Sequence, residues 1–439
     1  MKHVVIVGGG FAGLSAAVQL ASKGFRVTLL ERRKQLGGRA YSFTDRQTGD
    51  TVDNGQHLLM KCNLHTLEFL KQIGTSDRLH FQNQFSIEFR HPRLGRTHLS
   101  FPRLPSPLHI LLGLMRFKPI ALSDVPKFAG IVRNLAPLKT KGLSVKTWLE
   151  RCGQTDRLRR SFWHPLSISA LNQAPEDAPA SHLARIFRDA FLRNLDGACL
   201  GYATIGLSGL YSDSASQFIK SHGGEVLLRC RVVHISEERE RISIQLDSGE
   251  KLSVDACISS VPPTALVRLL PPSLSRLRRD LTSFCPSPIL SVNLWFEHPV
   301  IESDFVGLLG GRMHWLFNKP NLYRGRDRAS KGHVAVVSSA ADGLVDESDE
   351  DLVRITLEEI RSHLPDNGRN PLIHSLVVRE RQATYVLPPS APRPGTTTEW
   401  PGLFLAGDWT DTGLPSTIES AVLSGRTASD ATLEFLRDP

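Results

Sequence analysis

The chain has 439 residues, 41% of them hydrophobic and 22% charged, with a formal net charge of +9. It carries no apolar run near the roughly 18 residues of a membrane-spanning helix, no zinc-finger spacing, no RNP-type motif, no basic tail and no CxxC pair among its six cysteines. We therefore predict two or three domains of a cytoplasmic protein with reduced thiols, no metal site and no nucleic-acid partner.

The first forty residues predict a unit that binds a dinucleotide. Residues 4–7 form a short β-branched run that is typical of a strand buried on both faces. They lead into a GxGxxG turn at residues 8–13, a helical pattern over residues 14–21, and a second strand over residues 26–30 that ends at Glu31. This order of strand, glycine turn, helix, strand and acid is the dinucleotide-binding fingerprint.

The glycines and the acid of this unit have separate roles. Gly8 permits the tight turn, Gly10 lets the backbone approach a pyrophosphate, and Gly13 allows the helix to pack closely on the strand. The helix N-terminus directs its N–H groups at the phosphates, and Glu31 is placed to accept hydrogen bonds from a ribose. A second glycine turn at residues 36–40 suits FAD, whose pyrophosphate and ribitol extend past the first loop, whereas an NAD domain does not need it.

Two further segments bear on the cofactor. Residues 58–73 predict a helix after a polar glycine turn. At residues 402–426 a strand, a turn and a helix follow one another, and Ser416 with Glu419 has the spacing of a capping box, which predicts a helix from Ser416. Asp408 ends the strand, where its carboxylate can accept a ribitol hydroxyl. The helix N-terminus can stabilise negative charge at the N1/C2 carbonyl edge of a reduced flavin.

The middle of the chain predicts the part that binds the substrate. Residues 104–119 are apolar, bracketed by prolines and edged by Arg103, Arg116 and Lys118. This stretch fits a helix that dips into one leaflet of a membrane, and equally a helix buried against the rest of the protein. Residues 162–173 are apolar with a few isolated polar groups, which fits a hydrocarbon pocket, and equally a core segment.

With these motifs in place, the chain resembles the superfamily of flavin-dependent amine oxidases and phytoene desaturases. The segments GGGFAG, LGGRA, DNGQH, RVVHI and AGDWTDTGLPSTIESAVLSG carry the resemblance, and DNGQHLL with FWHPLSISALN favours the hydroxysqualene dehydroxylases within it. The resemblance implies an α/β fold, in which a Rossmann-like FAD/NAD(P)-binding domain accompanies a mixed α+β substrate domain. The FAD-binding domain is predicted to be discontinuous, over residues 1–78, 205–275 and 385–439. A helical, membrane-facing substrate part is predicted over 79–204, and a sheet-and-helix substrate part over 276–384.

Both ends of the chain are predicted to contribute to one FAD site. Gln56 stands where the superfamily carries a second glycine, and the resemblance implies that Val232 lends backbone groups to the adenine edge. The predicted FAD-binding residues are Gly8, Gly10, Phe11, Ala12, Gly13, Glu31, Arg32, Gly38, Arg39, Gly55, Gln56, His57, Val232, Gly407, Asp408, Leu414, Ser416, Thr417 and Ile418.

The resemblance also implies a substrate and a reaction. Hydroxysqualene, a long isoprenoid, would lose its allylic hydroxyl and accept hydride from N5 of the reduced flavin, giving squalene in hopanoid biosynthesis. The departing hydroxyl needs an acid, and the candidates are His57, His164 and Asp411; His57 fits a turn-fixing hydrogen bond equally well. A peripheral position at the inner face of the cytoplasmic membrane follows from the lipid substrate, and the electron donor stays open.

Three alternatives remain. A phytoene or carotenoid desaturase would run the flavin in the opposite direction and oxidise a hydrocarbon. An amine oxidase would line its flavin with an aromatic pair, for which Trp409 and Tyr385 are available. Rab escort and GDP-dissociation-inhibitor proteins resemble this fold and bind prenyl chains without catalysis, but that requires a degraded flavin site, whereas the flavin motifs here are intact.

Overall fold

A five-stranded parallel sheet forms the centre of the part that carries the glycine turns. The computed structural model describes residues 2–238, 241–323, 329–365, 370–389 and 391–437. The strands of this sheet, in spatial order, are Glu225–Leu228, Arg26–Glu31, His3–Val7, Ala256–Ser259 and Leu403–Leu405. The three inner strands are almost wholly buried, as expected for a parallel sheet that is covered on both faces. The sheet therefore brings segments from both ends of the chain into one layer.

The two faces of this sheet are covered differently. Successive side chains of a strand point to opposite faces, so Val4 and Ile6 pack on one layer and Val5 and Val7 on the other. The first layer consists of the helices Phe11–Ser22, Asp213–Ser221 and Ile418–Arg437. The second consists of the antiparallel strands Val232–Glu238, Arg241–Leu246 and Lys251–Val254 and the helices Pro263–Leu269 and Ser275–Thr282.

A seven-stranded mixed sheet supports the rest of the molecule. Its strands, in spatial order, are Leu372–Val386, Cys285–Phe296, His333–Ser339, Trp315–Asn318, Phe305–Leu308, Ser86–His91 and Gly95–Ser100. One face packs on the helix Asp349–His363. The other face packs, through a second apolar cluster, on a group of short helices from residues 108–192.

The short helices and the remaining elements connect these two sheets. The helical group comprises Leu108–Arg116, Leu122–Phe128, Ala129–Arg133, Pro137–Thr140, Val145–Arg151, Asp156–Leu158, Arg159–Trp163, His164–Leu171, Ala180–Phe187 and Arg188–Leu192. The other elements are the strands Ser42–Thr44, Thr51–Asp53, Leu58–Met60, Leu79–Phe81 and Leu200–Ala203 and the helices Leu64–Gln72, Ser76–Arg78, Ser208–Ser212 and Lys319–Leu322. The residue boundaries of the three predicted parts stay a prediction.

The prediction of one helix over residues 58–73 is wrong at its start. Leu58–Met60 is a strand that pairs antiparallel with Leu200–Ala203, and the helix extends only over Leu64–Gln72. Three apolar residues in a row fit a strand and a helix equally well. The partner strand lies far along the chain, so local sequence does not reveal it.

The predicted capping box of the last helix does not form. The helix begins at Ile418, and the Thr417 hydroxyl oxygen accepts a hydrogen bond from the backbone N–H of Ser420 at 3.3 Å. The Ser416 side chain instead donates to the carbonyl oxygen of Tyr385 at 2.8 Å. Thr417 therefore takes the capping position that the sequence assigns to Ser416.

Glu419, the other member of the predicted box, caps a different helix. Its carboxylate accepts the backbone N–H groups of His65 and Thr66, each at 2.9 Å. These donors belong to the first turn of Leu64–Gln72, whose N–H groups lack partners within the helix. The end of the chain therefore stabilises a helix near its beginning.

The apolar stretch at residues 104–119 contains the helix Leu108–Arg116, which is apolar on two faces. One face is buried and carries His109, Ile110, Gly113 and Leu114. The opposite face carries Leu108, Leu112 and Met115, and Leu108 and Met115 are 55% and 50% exposed. Across the described parts of the chain, no helix combines the length and the apolarity that crossing a bilayer requires.

Candidate active site

One large cavity lies between the two sheets. It encloses about 1060 Å³ and reaches from the N-terminal glycine turns to the floor formed by the seven-stranded sheet. All of the FAD-binding residues predicted from the sequence line this cavity, with the exception of Gly13. A Cβ atom at Gly13 would lie 2.0 Å from the carbonyl oxygen of Gly8, so Gly13 acts in helix–strand packing.

The two glycine turns contact each other at the polar end of the cavity, where the backbone N–H of Gly37 donates to the carbonyl oxygen of Gly9 at 2.9 Å. A Cβ atom at Gly38, where φ is +57°, would lie 3.1 Å from the Cα atom of Gly10. Gly10 precedes the helix Phe11–Ser22, whose first N–H groups have no partners within the helix. A bare backbone that meets a helix N-terminus is the arrangement that fits a pyrophosphate.

Glu31 lies at the end of the second strand, beside this cradle. Its carboxylate accepts the backbone N–H groups of Gly9 at 2.8 Å and of Arg33 at 2.9 Å. A carboxylate has about four acceptor positions, so two of them stay free for hydroxyl donors in the cavity. This geometry fits the predicted ribose contact.

Asp408 meets Arg39 at the point where the two ends of the chain come together. The Arg39 guanidinium donates to both carboxylate oxygens of Asp408 and to the carbonyl oxygen of Ala383, the last at 3.0 Å. The sequence predicts a ribitol hydroxyl as the partner of Asp408, and that contact stays a prediction. The ion pair itself joins the second glycine turn to the C-terminal strand.

Two residues that are not predicted from the sequence hold turns of this site in place: Tyr211 holds the second glycine turn, and Arg393 the turn after the C-terminal strand. The Tyr211 ring stacks on Phe11 with centroids 3.6 Å apart, and its hydroxyl donates to the carbonyl oxygens of Gly37 (2.6 Å) and Ala40 (2.8 Å). The Arg393 guanidinium donates to the carbonyl oxygen of Leu414 at 2.9 Å. No sequence motif predicts such a role for a tyrosine on a helix or for an arginine between two prolines.

The far end of the cavity is apolar. Its walls come from the seven-stranded sheet and from the helical group, and they are formed by Phe85, Ile87, Phe89, Leu99, Phe162, Leu166, Phe191, Leu200, Ile289, Trp315, Phe317 and Val337. Two polar groups that line this chamber pair with each other, since the Trp315 indole N–H donates to the Ser169 hydroxyl at 2.8 Å. Residues 162–173 are divided between chamber and core: Phe162 and Leu166 line the chamber, whereas Trp163 is buried in the core. The binding of a hydrocarbon there stays a prediction.

Known proteins share this architecture and sequence. The profile of the family described as "Flavin containing amine oxidoreductase" matches residues 11–433. The chain belongs to this family. A hydroxysqualene dehydroxylase of Sinorhizobium fredii is 32% identical over 98% of both chains. A 15-cis-phytoene desaturase of an Oncidium hybrid is 27% identical over 98% of this chain and 78% of its own length. The structure of an oxidoreductase from Methanosarcina mazei shares the fold, with a TM-score of 0.76 at 18% identity over 98% of this chain and 100% of that one.

These comparisons confirm the resemblance to the hydroxysqualene dehydroxylases and the predicted fold class. This flavin containing amine oxidoreductase is an enzyme whose cofactor is FAD. The residues present fit that group: the cradle of Gly10 and Gly38 would receive the pyrophosphate, Glu31 the ribose, and Thr417 with Ile418 the flavin edge at the helix N-terminus.

The three candidate acids of this oxidoreductase lie in different surroundings. His57 lines the cavity, whereas the half-buried His164 and the exposed Asp411 do not. His164 has Glu176 as a charged neighbour, and Asp411 accepts the backbone N–H of Gly413 at 3.3 Å. Their positions argue against a proton transfer to a substrate in the cavity.

His57 is held in its neutral form. Its Nδ1 lies 2.8 Å from the carbonyl oxygen of Gly55, so Nδ1 carries the proton. Burial lowers the pKa of His57, although the Asp53 carboxylate and the hydrogen bond to Gly55 oppose the shift; the Lys319 ammonium acts in the same direction as burial. At neutral pH its Nε2 therefore carries a lone pair, which suits the turn-fixing interpretation better than an acid.

A buried lysine, also missed from the sequence, lies beneath this turn. The Lys319 ammonium, whose side chain is 1% exposed, donates to Asp53 at 3.2 Å and to the Gln56 side-chain oxygen at 2.6 Å. It also lies 3.9 Å from the ring centroid of Tyr323, whose hydroxyl donates to Asp53 at 2.7 Å. The network fixes Gln56 where it lines the cavity.

Proposed function

We propose that this FAD-dependent oxidoreductase reduces hydroxysqualene to squalene, with loss of water. The observation that carries the proposal is the continuity of the cavity, in which the FAD cradle opens directly into an apolar chamber. An apolar chamber suits a long hydrocarbon with one polar position. The 32% identity to a protein named hydroxysqualene dehydroxylase over almost the whole chain supports the same substrate.

The residues of the chain have three tasks in this reaction. When bound, FAD in its reduced form supplies the hydride. The aromatic and aliphatic walls, among them Phe162, Trp315 and Phe317, exclude water that would capture an allylic cation. Gln56 and His57 also line the cavity, on a turn that Lys319 holds, and would help to keep the reacting carbon at a defined place. An acid must also protonate the departing hydroxyl.

Desaturation of a carotenoid hydrocarbon is the second candidate, because the phytoene desaturase relative also spans 98% of the chain. A single experiment separates the two. The purified holoenzyme is reduced anaerobically and mixed with hydroxysqualene, and the oxidised holoenzyme is mixed with phytoene. We expect squalene by mass spectrometry, with concurrent oxidation of the flavin. Desaturated carotenoid from the oxidised enzyme, without squalene from the reduced one, would replace this proposal by the second candidate.

We further propose that the enzyme takes its substrate from a membrane surface through the helix Leu108–Arg116. Leu108 and Met115 are exposed on one face of this helix, and Arg103 and Lys118 flank it. Exposed apolar side chains beside basic residues suit a helix that lies in the interface of an anionic membrane.

A further inference from the structure

The cavity contains five carboxylic side chains among the described residues that line it. They are Glu31, Asp189, Glu380, Asp408 and Glu419. Four of them already have strong partners. Glu31 accepts two backbone N–H groups beside the FAD cradle, and Asp408 is paired with Arg39.

The other two engaged carboxylates are Asp189 and Glu419, which also line the cavity. Asp189 forms ion pairs with Arg185 and with Arg193, the latter at 3.0 Å. Glu419 caps the helix Leu64–Gln72 through two backbone N–H groups. The oxygens of both side chains are therefore engaged with donors of this chain, and neither is placed to donate a proton to a substrate.

Glu380 differs from these four in position. It lies on the strand Leu372–Val386 and pairs in register with Ile289, which pairs in turn with Ser339. These three residues form one row across the floor of the cavity, and all three line it. Glu380 therefore lies where the cradle that carries Arg39 meets the apolar floor that carries Ile289.

Burial and the neighbouring groups act on the pKa of Glu380 in opposite directions, and the net shift is upward from the usual carboxyl value. Burial raises the pKa of Glu380, and the guanidinium groups of Arg33 and Arg39 oppose this shift. The Arg39 guanidinium is also paired with the carboxylate of Asp408. One direct polar contact is a long hydrogen bond, 3.4 Å, from the Asn54 side-chain N–H to Glu380.

Two phenols complete the set of titratable groups that face this carboxyl. They are Tyr41 and Tyr385, whose pKa values are raised, chiefly by burial. Both stay neutral at the pH at which the enzyme would work, so neither adds a charge near Glu380. The carboxyl thus faces two guanidinium groups and two neutral phenols.

We propose that Glu380 is the general acid that protonates the hydroxyl leaving group. This inference rests on the proposed reduction of hydroxysqualene. The carboxyl proton moves to the substrate oxygen, the C–O bond breaks with its electron pair on oxygen, and water leaves. The allylic carbon accepts hydride from the reduced flavin, so the substrate gains two electrons and the flavin loses two. Glu380 is left as a carboxylate and is reprotonated from solvent before the next turnover.

Single-turnover kinetics of the FAD-loaded protein test this assignment. The E380Q variant keeps the size and the hydrogen bond to Asn54 but has no acidic proton. We expect it to bind FAD like the wild type and to be oxidised by hydroxysqualene at least about 100-fold more slowly, the usual contribution of a general acid. E358Q, a substitution in an ion pair on the outer helix where Glu358 is 58% exposed, is the control and should keep the wild-type rate.

The pH profile separates an acid from a structural carboxyl. A general acid must be protonated, so the wild-type rate should fall as pH rises through the pKa of Glu380. This falling limb of the pH–rate profile should be absent in E380Q. E380D keeps a carboxyl group and should retain the limb at a reduced rate, which also covers a failure of E380Q to fold. An unchanged rate and limb in E380Q, or no limb in E380D, would overturn the assignment. Absence of squalene with the wild type would instead overturn the proposed function and the assignment with it.

Discussion

The ion pair of Lys319 and Asp53 joins the seven-stranded sheet to the antiparallel pair of strands Ser42–Thr44 and Thr51–Asp53, which precedes the cavity-lining residues 54–65. Both side chains are almost fully buried, and Tyr323 contacts both of them. Burial opposes ionisation of Asp53, but the Lys319 ammonium and hydrogen bonds from Ser42, Leu207 and Tyr323 hold its pKa below the usual value. A charge in such a place is tolerated only with its partner.

Removal of one partner should therefore be costly. We expect D53N to lower the free energy of unfolding by about 3–5 kcal/mol, since it leaves the Lys319 ammonium buried without a counter-charge. The double variant D53N/K319M should lose less than D53N alone, and denaturant unfolding measures both. Because the pKa of Asp53 is lowered in the fold, its contribution is present above its unfolded pKa and is lost as pH falls through the folded value. A double variant less stable than D53N would contradict this account.

Among single residues, the sequence predicts those that a local backbone motif requires. It does not predict those whose partners are distant along the chain. Gly10 and Glu31 follow from the fingerprint because close approach of the backbone to a pyrophosphate and the predicted ribose contact demand these residue types at fixed spacing. Lys319 and Glu380 have no such spacing. Their partners Asp53 and Ile289 come from distant segments, and only the packed structure brings them together.

The proposal that the enzyme takes its substrate from a membrane rests on the exposed face of the helix Leu108–Arg116. The double variant L108E/M115E should bind vesicles of phosphatidylethanolamine and phosphatidylglycerol at least about 100-fold more weakly, because burying each side chain contributes roughly 1.5–3 kcal/mol. Cosedimentation measures the binding. I373E is the matched control, since Ile373 is 65% exposed at the start of the strand Leu372–Val386. Equal binding of the double variant and the wild type would refute the proposal.

Among elements, prediction succeeds where one segment fixes its own structure. The strand and helix at the N-terminus have the expected places because glycine turn and apolar period agree. The predictions for Leu58–Met60 and for Glu419 fail for the same reason, because the structure of each depends on a partner far along the chain. The spacing of three residues between Ser416 and Glu419 is that of a capping box. The Glu419 carboxylate instead accepts hydrogen bonds from the N–H groups in the first turn of another helix.

In the whole molecule, the two ends of the chain pack on each other at the cofactor. A Cβ atom at Gly425 would lie 2.2 Å from the carbonyl oxygen of Ala12, so the last helix crosses the first one without room for a side chain. The Ser15 hydroxyl also donates to the carbonyl oxygen of Val422 at 3.0 Å. The shared sheet and this crossing explain why motifs at opposite ends of the sequence predict one site.

The most direct test is the FAD content of the purified protein and of two glycine variants. We expect one FAD per wild-type chain and a marked loss in G425V, whose side chain would push the last helix away from Ala12 although Gly425 does not line the cavity. The control G343A, at a glycine with no atom within 4 Å of a Cβ, should keep its FAD. A wild-type protein that is colourless and cannot be reconstituted, or a G425V variant that binds FAD as tightly as G343A, would contradict the account.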